Sequence, residues 1–138
     1  MKARIKWLEN RTFVGESGSG HAIVMDGAPE SGGRNLGVRP MEMLLLGLGG
    51  CTAFDIVMIL EKSREKITSC EVELEGERES ADPKVFTHVK MIYKLKGKSL
   101  KPAAVERAVN LSAQKYCSAS IMFEKTAKLE HSWTIEEG

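Results

Sequence analysis

The chain has 138 residues, of which 42% are hydrophobic and 28% charged, and its formal charge is +1. That length supports one compact domain, the composition argues against disorder, and the near-neutral charge leaves no basic stripe for nucleic acid. Three cysteines and three histidines without a CxxC pair argue against a disulfide framework or a local zinc site, and predict a reducing, cytoplasmic setting.

"MKARIKWLEN" alternates apolar Ala3, Ile5 and Trp7 with Lys2, Arg4 and Lys6. This predicts a strand with one buried and one wet face, and not a secretory signal. "ENRT" reads as a turn, and Thr12 to Val14 begins a second strand. "GESGSGH" reads as a break or loop, "AIVMD" as a third strand, and "GAPESGGRNLGVRP" as a loop. Pro40 suits the first turn of a helix, and good helix formers continue to about Lys62. This long helix is apolar nearly all round as far as Thr52, so it needs cover on every side.

"SCEVELEGER" and "VFTHVKMIYKLKG", joined by "SADPK", predict a hairpin. Cys70, Val72 and Leu74 face inward on the first strand. Val85, Val89, Met91, Tyr93 and Leu95 keep to one face of the second. The wet faces carry Glu71, Glu73 and Glu75 against Lys90, Lys94 and Lys96, a pairing of a few tenths of a kcal/mol each. "SLKPAAVERAVNLSAQKYC" predicts a second helix with Ser99 as cap, Pro102 in its first turn, and a stripe of Val105, Ala108, Val109, Ser112 and Tyr116. "SASIMFEK" continues or restarts it, and "LEHSWTIEE" closes the chain as a strand. The pattern is α+β with a mainly antiparallel sheet in a single domain, 1–138.

Chemistry concentrates on "LGLGGCTAFDIV". Cys51 there has three readings: a membrane-embedded residue, small hydrophobic core filling, or a nucleophile whose thiol must be made to ionise. Glu42, Asp55 and the glycines of this helix oppose the membrane reading. Cys70, in an inward strand row, reads as core. Cys117, in the small-residue context "QKYCSAS", would give Cys51 a resolving partner: one sulfur becomes a sulfenic acid, the other closes a disulfide, and a dithiol resets both.

"RPMEMLLLGLGGCTAFDIVMILEK", "AVNLSAQKYCSASIMFEKTAKLEHSWTI" and the opening "KARIKWLENRTFVGESGSGHAIVMDG" together resemble the OsmC/Ohr family of osmotically inducible and organic-hydroperoxide-resistance proteins, in its small YhfA-like branch. The resemblance implies an intertwined α+β homodimer, each subunit with a six-stranded sheet wrapped around long central helices. It implies a thiol-dependent peroxidase for organic hydroperoxides in oxidative-stress defence, with Cys51 peroxidatic and Cys117 resolving. An external dithiol or lipoyl protein would be the reductant, and neither a metal nor a bound organic cofactor would be needed. No nucleic acid or membrane partner is expected.

Two positions depart from the family pattern. Its glutamate follows the helix-opening proline directly, whereas Met41 stands there and Glu42 comes next, about 100° further round the helix. Glu42 is thus a candidate catalytic carboxylate or a simple partner of the helix dipole. The family's thiolate-stabilising arginine has candidates in Arg11, Arg34 and Arg39 and no clean counterpart. The alternative function is a redox-sensing or small-ligand-binding module of the same fold with weak turnover.

Overall fold

A computed structural model describes all 138 residues. The chain divides into two units, Met1–Leu44 and Leu45–Gly138. The six strands form two three-stranded sheets, one in each unit, where the resemblance implied a single sheet of six. The reason is local: the first three strands follow one another through short turns and pair among themselves.

In the first unit β1 (Ala3–Glu9), β2 (Thr12–Ser17) and β3 (Ala22–Met25) are antiparallel, in the order β1-β2-β3. β2 runs through Gly15 to Ser17 where a break was expected, because Gly15 pairs with both Ile5 and Ile23. Asn10 makes the β1–β2 turn at φ 49°, a left-handed conformation that asparagine tolerates. The apolar face expected of β1 is not buried within the chain: Ile5 is 57% and Trp7 62% exposed.

The loop after β3 is organised by one buried carboxylate. Asp26 accepts hydrogen bonds from the N–H groups of Gly27 (2.7 Å), Arg34 (3.3 Å) and Leu36 (3.2 Å) and from the Thr12 hydroxyl (3.1 Å). Burial opposes its charge, but these four donors outweigh burial and hold the carboxyl below its ordinary range.

α1 (Pro40–Lys62) starts in the first unit and continues into the second. By length and composition it could cross a membrane, yet Leu48, Ile56 and Leu60 are fully buried in the core. Its cover is incomplete, with Leu44, Leu46 and Phe54 exposed.

The second sheet holds β4 (Lys66–Arg78), β5 (Phe86–Lys98) and β6 (Lys128–Glu137) in that order. β4 and β5 form the expected hairpin, with Cys70 opposite Leu95, Val72 opposite Tyr93 and Leu74 opposite Met91. β6 joins β5 in parallel, so the sheet is mixed. A parallel neighbour requires a crossover, supplied by α2 (Pro102–Leu111), a π-helical segment Ser112–Tyr116 and α3 (Ser118–Phe123). On the wet face Lys94 pairs with Glu73 and, at 4.0 Å, with Glu71, while Lys96 meets Glu136 of β6 at 3.0 Å.

Val89, Met91, Tyr93 and Leu95 of β5, together with Val105 and Ala108 of α2, complete the core of this unit. Each buried Leu, Ile or Val stabilises by about 1.5–3 kcal/mol relative to exposure. Gly49 lets α1 approach β4, since a Cβ there would lie 2.7 Å from Leu74 Cδ1. Ser99 does not cap α2. It sits at φ 53° and its N–H reaches Glu137 (3.0 Å). Lys101 is the N-cap residue, and its N–H is satisfied by Glu65 at 3.0 Å.

Candidate active site

Cys51 and Asp55 are four residues apart on α1, so they project from one face of the helix. Cys117 arrives from the crossover. The two sulfurs and a carboxylate oxygen of Asp55 all lie within 4.8 Å of one another. Cys51 is half-buried, Asp55 is 8% exposed, and Cys117 is completely buried.

The π-helical segment is what brings Cys117 in. The Cys117 N–H donates to the Ser112 carbonyl at 2.9 Å, five residues back, which widens the last turn and advances its phase. Tyr116, expected on the buried stripe, is consequently 49% exposed, and Cys117 turns inward. Cys117 then leaves helical geometry (φ −77°, ψ 99°) and caps α3, its Sγ accepting the Ser120 N–H at 3.3 Å. Ser112 also donates its hydroxyl to Asp55 Oδ2 at 3.1 Å, so one residue tethers both the resolving candidate and the carboxylate.

Burial, and then the adjoining Cys51 sulfur, push the Cys117 thiol above its ordinary range, and Ser120 pulls the other way. No ion pair of the chain engages Asp55. The Ser120 hydroxyl is buried without a standard hydrogen-bond partner. Thr52 turns its hydroxyl back onto the Leu48 and Gly49 carbonyls (3.2 and 3.0 Å). Tyr93 is 1% exposed; burial pushes its phenol up, and it shares a 2.8 Å hydrogen bond with His131 Nδ1. A groove of about 320 Å³ runs between α1 and α2, lined by Met58, Ile59, Leu111 and Tyr116 with Lys62 and Arg107 at its rim. Cys51 does not line it.

The other candidates have partners or surroundings of their own. Glu42 accepts the Arg39 N–H at 2.8 Å, the reach-back half of a capping box. Arg11 bonds the Asn10 carbonyl (3.1 Å), Arg34 pairs with Glu9 (2.5 Å), and Arg39 holds Asn35 Oδ1 (2.8 Å). Cys70 is half-buried in its strand row, its thiol raised by burial, as core filling requires. His88 lies on a wet face between Glu130 (3.1 Å) and Glu77 (3.9 Å). Asp55, Ser112 and Ser120 carry the surroundings of the sulfurs. Of these only the Cys51–Asp55 spacing is visible in the sequence.

An α+β chain that brings two non-consecutive cysteines together on helical elements is a dithiol protein. The model of the OsmC-like protein family matches residues 32–132, and the chain belongs to that family. It is 49% identical over 135 residues to protein YhfA of Escherichia coli strain K12, covering 98% of each chain. Among solved structures it resembles a hypothetical protein of Aquifex aeolicus VF5 (TM-score 0.87, 28% identity, 99% and 96% of the two chains). At 15% identity it shares the fold of an organic hydroperoxide resistance protein OsmC from Legionella pneumophila (TM-score 0.70, 97% of each chain).

Proposed function

We propose that this protein is a cytoplasmic, thiol-dependent peroxidase that reduces organic hydroperoxides in oxidative-stress defence. The observation that carries the reading is the approach of the Cys51 and Cys117 sulfurs to within 4.8 Å. A disulfide needs about 2.05 Å, so closure takes a displacement of side-chain size. Cys51 is the half-exposed sulfur and the one a peroxide can reach; Cys117, buried and held protonated, waits.

The Cys51 thiolate attacks the outer peroxide oxygen, forming an S–O bond as O–O breaks, and the alkoxide leaves as the alcohol after taking one proton. Cys117 then attacks the sulfenic sulfur, forming S–S, and hydroxide leaves as water with the Cys117 proton. An external dithiol, of which a lipoyl protein is one form, returns two thiols and is itself oxidised. Asp55 stands close to both sulfurs. As carboxylate it takes the Cys51 proton and, as acid, gives it to the departing alkoxide. Glu42 enters the reading as a carboxylate presented by the first turn of α1.

The same reading makes the active form a homodimer. A partner subunit would cover Phe54, 70% exposed, and Leu46, 56% exposed, on α1. The test follows peroxide loss with cumene hydroperoxide and either dithiothreitol or a lipoylated carrier. Wild-type protein should consume peroxide catalytically and Cys51→Ser should not; equal rates defeat the proposal.

A redox sensor of slow turnover is the second reading. It is favoured by the neighbour of the sulfurs being a carboxylate, and by Arg11, Arg34 and Arg39 each having a partner in the first unit. One equivalent of peroxide then closes the pair, seen as a loss of two hydrogens in intact mass, while further peroxide persists.

A further inference from the structure

The geometry points to a binding site for one thiophilic divalent cation, of the zinc or cadmium class, formed by Cys51 Sγ, Cys117 Sγ and an Asp55 carboxylate oxygen of the reduced protein. Two thiolates and one carboxylate are the donors that borderline-soft ions select over magnesium or calcium. Metal–sulfur bonds of about 2.3 Å and metal–oxygen bonds of about 2.0–2.2 Å place donors around one ion roughly 3.5–4 Å apart. The three donors here lie within 4.8 Å of one another, so a contraction of at most about 1.3 Å seats an ion among them.

Two further features suit the site to a cation. Asp55 is 8% exposed and has no cationic partner, its one hydrogen bond coming from the Ser112 hydroxyl. An ion would supply the positive charge that a buried carboxylate otherwise lacks. That serine is the kind of partner that orients a ligating carboxylate. The Ser120 hydroxyl is fully buried with no partner beyond the Cys117 sulfur, which also accepts the Ser120 N–H. Half-buried Cys51 is the route of entry.

Binding exchanges two S–H protons for two metal–sulfur bonds and releases both protons to solvent. A Cys51–Cys117 disulfide leaves no thiolate to ligate, so oxidation of the pair expels the ion. The site thus reports redox state whether or not the protein turns over peroxide.

The probe is cadmium added to the full-length reduced protein, followed by the ultraviolet thiolate-to-metal charge-transfer band and by native mass spectrometry. We expect one ion per chain with loss of two protons. Cys51→Ser and Cys117→Ser should abolish the band, Cys70→Ser should leave it, and Asp55→Asn should weaken binding at least tenfold. Wild-type protein oxidised by diamide, which changes no residue of the sequence, should bind none. Absence of the band in reduced, folded wild type overturns the site, as does its dependence on Cys70 or indifference to Asp55→Asn. Peroxide is absent throughout, so failure here leaves the peroxidase reading untouched. Failure of that reading likewise leaves metal binding measurable.

Discussion

Ser112 donates its hydroxyl to Asp55 Oδ2 at 3.1 Å while its own carbonyl accepts the Cys117 N–H at 2.9 Å. The π-helical turn and the carboxylate of α1 therefore meet at one residue. Removing the hydroxyl leaves a buried carboxylate without its donor, a loss of about 1–3 kcal/mol. Ser112→Ala should lower the melting temperature and slow disulfide closure after peroxide addition. Ser112→Thr, which keeps the hydroxyl, should recover more of the closure rate than of the stability. Equal closure rates in wild type and Ser112→Ala would remove Ser112 from the positioning of the pair.

The two sulfurs should behave differently when separated. Cys117→Ser should consume one equivalent of hydroperoxide and stop with one added oxygen on Cys51, trapped by dimedone. Cys51→Ser should take up no oxygen rapidly, because Cys117 is buried and burial holds it as the thiol. Trapping on Cys117 in wild type would reverse the assignment of roles.

Much of this arrangement can be read from the chain, and the part that cannot has a physical reason. Alternation in "EVELE" and "KMIYKLK" places glutamates against lysines because period two fixes a strand's faces, and Lys94 does meet Glu71 and Glu73. The all-round apolarity of α1 signals burial that the chain meets only in part: Leu48, Ile56 and Leu60 are fully buried, while Leu44, Leu46 and Phe54 stay exposed. Local pattern fails at Ser99, whose φ of 53° removes it from the cap, and at Tyr116, which the π turn rotates outward. Ser112 and Asp55 are 57 positions apart, and no periodicity connects such a pair. The metal-ligand set escapes spacing rules for the same reason, since its third donor comes from another element.

Glu42 separates capping from chemistry. Its carboxylate accepts the Arg39 N–H at 2.8 Å, which a glutamine carbonyl can replace. Glu42→Gln should therefore stay within a few tenths of a kcal/mol of wild-type stability, whereas Glu42→Ala should lose about 0.5–1 kcal/mol. If the charge also serves the peroxide step, Glu42→Gln should lower kcat/KM for cumene hydroperoxide. A rate equal to wild type confines Glu42 to the helix start.

Acid sensitivity should trace in part to His131. Burial holds its pKa below the ordinary 6.5, with Glu124 pulling weakly the other way, and its Nδ1 bonds Tyr93. On unfolding the ring regains its ordinary affinity for protons, so below about pH 6.5 the unfolded chain binds more protons than the native one. Stability must fall as the pH drops from 6.5 toward the depressed native value, and level off once both states are protonated at this site. Asp26 adds a second loss lower down: its native carboxyl titrates below 3.8, so its contribution disappears as the pH falls through that depressed value. Urea melts of wild type and His131→Gln between pH 7.5 and 5 isolate the first effect. The wild-type slope should exceed that of the variant in this window, and parallel slopes would show that His131 titrates alike in both states.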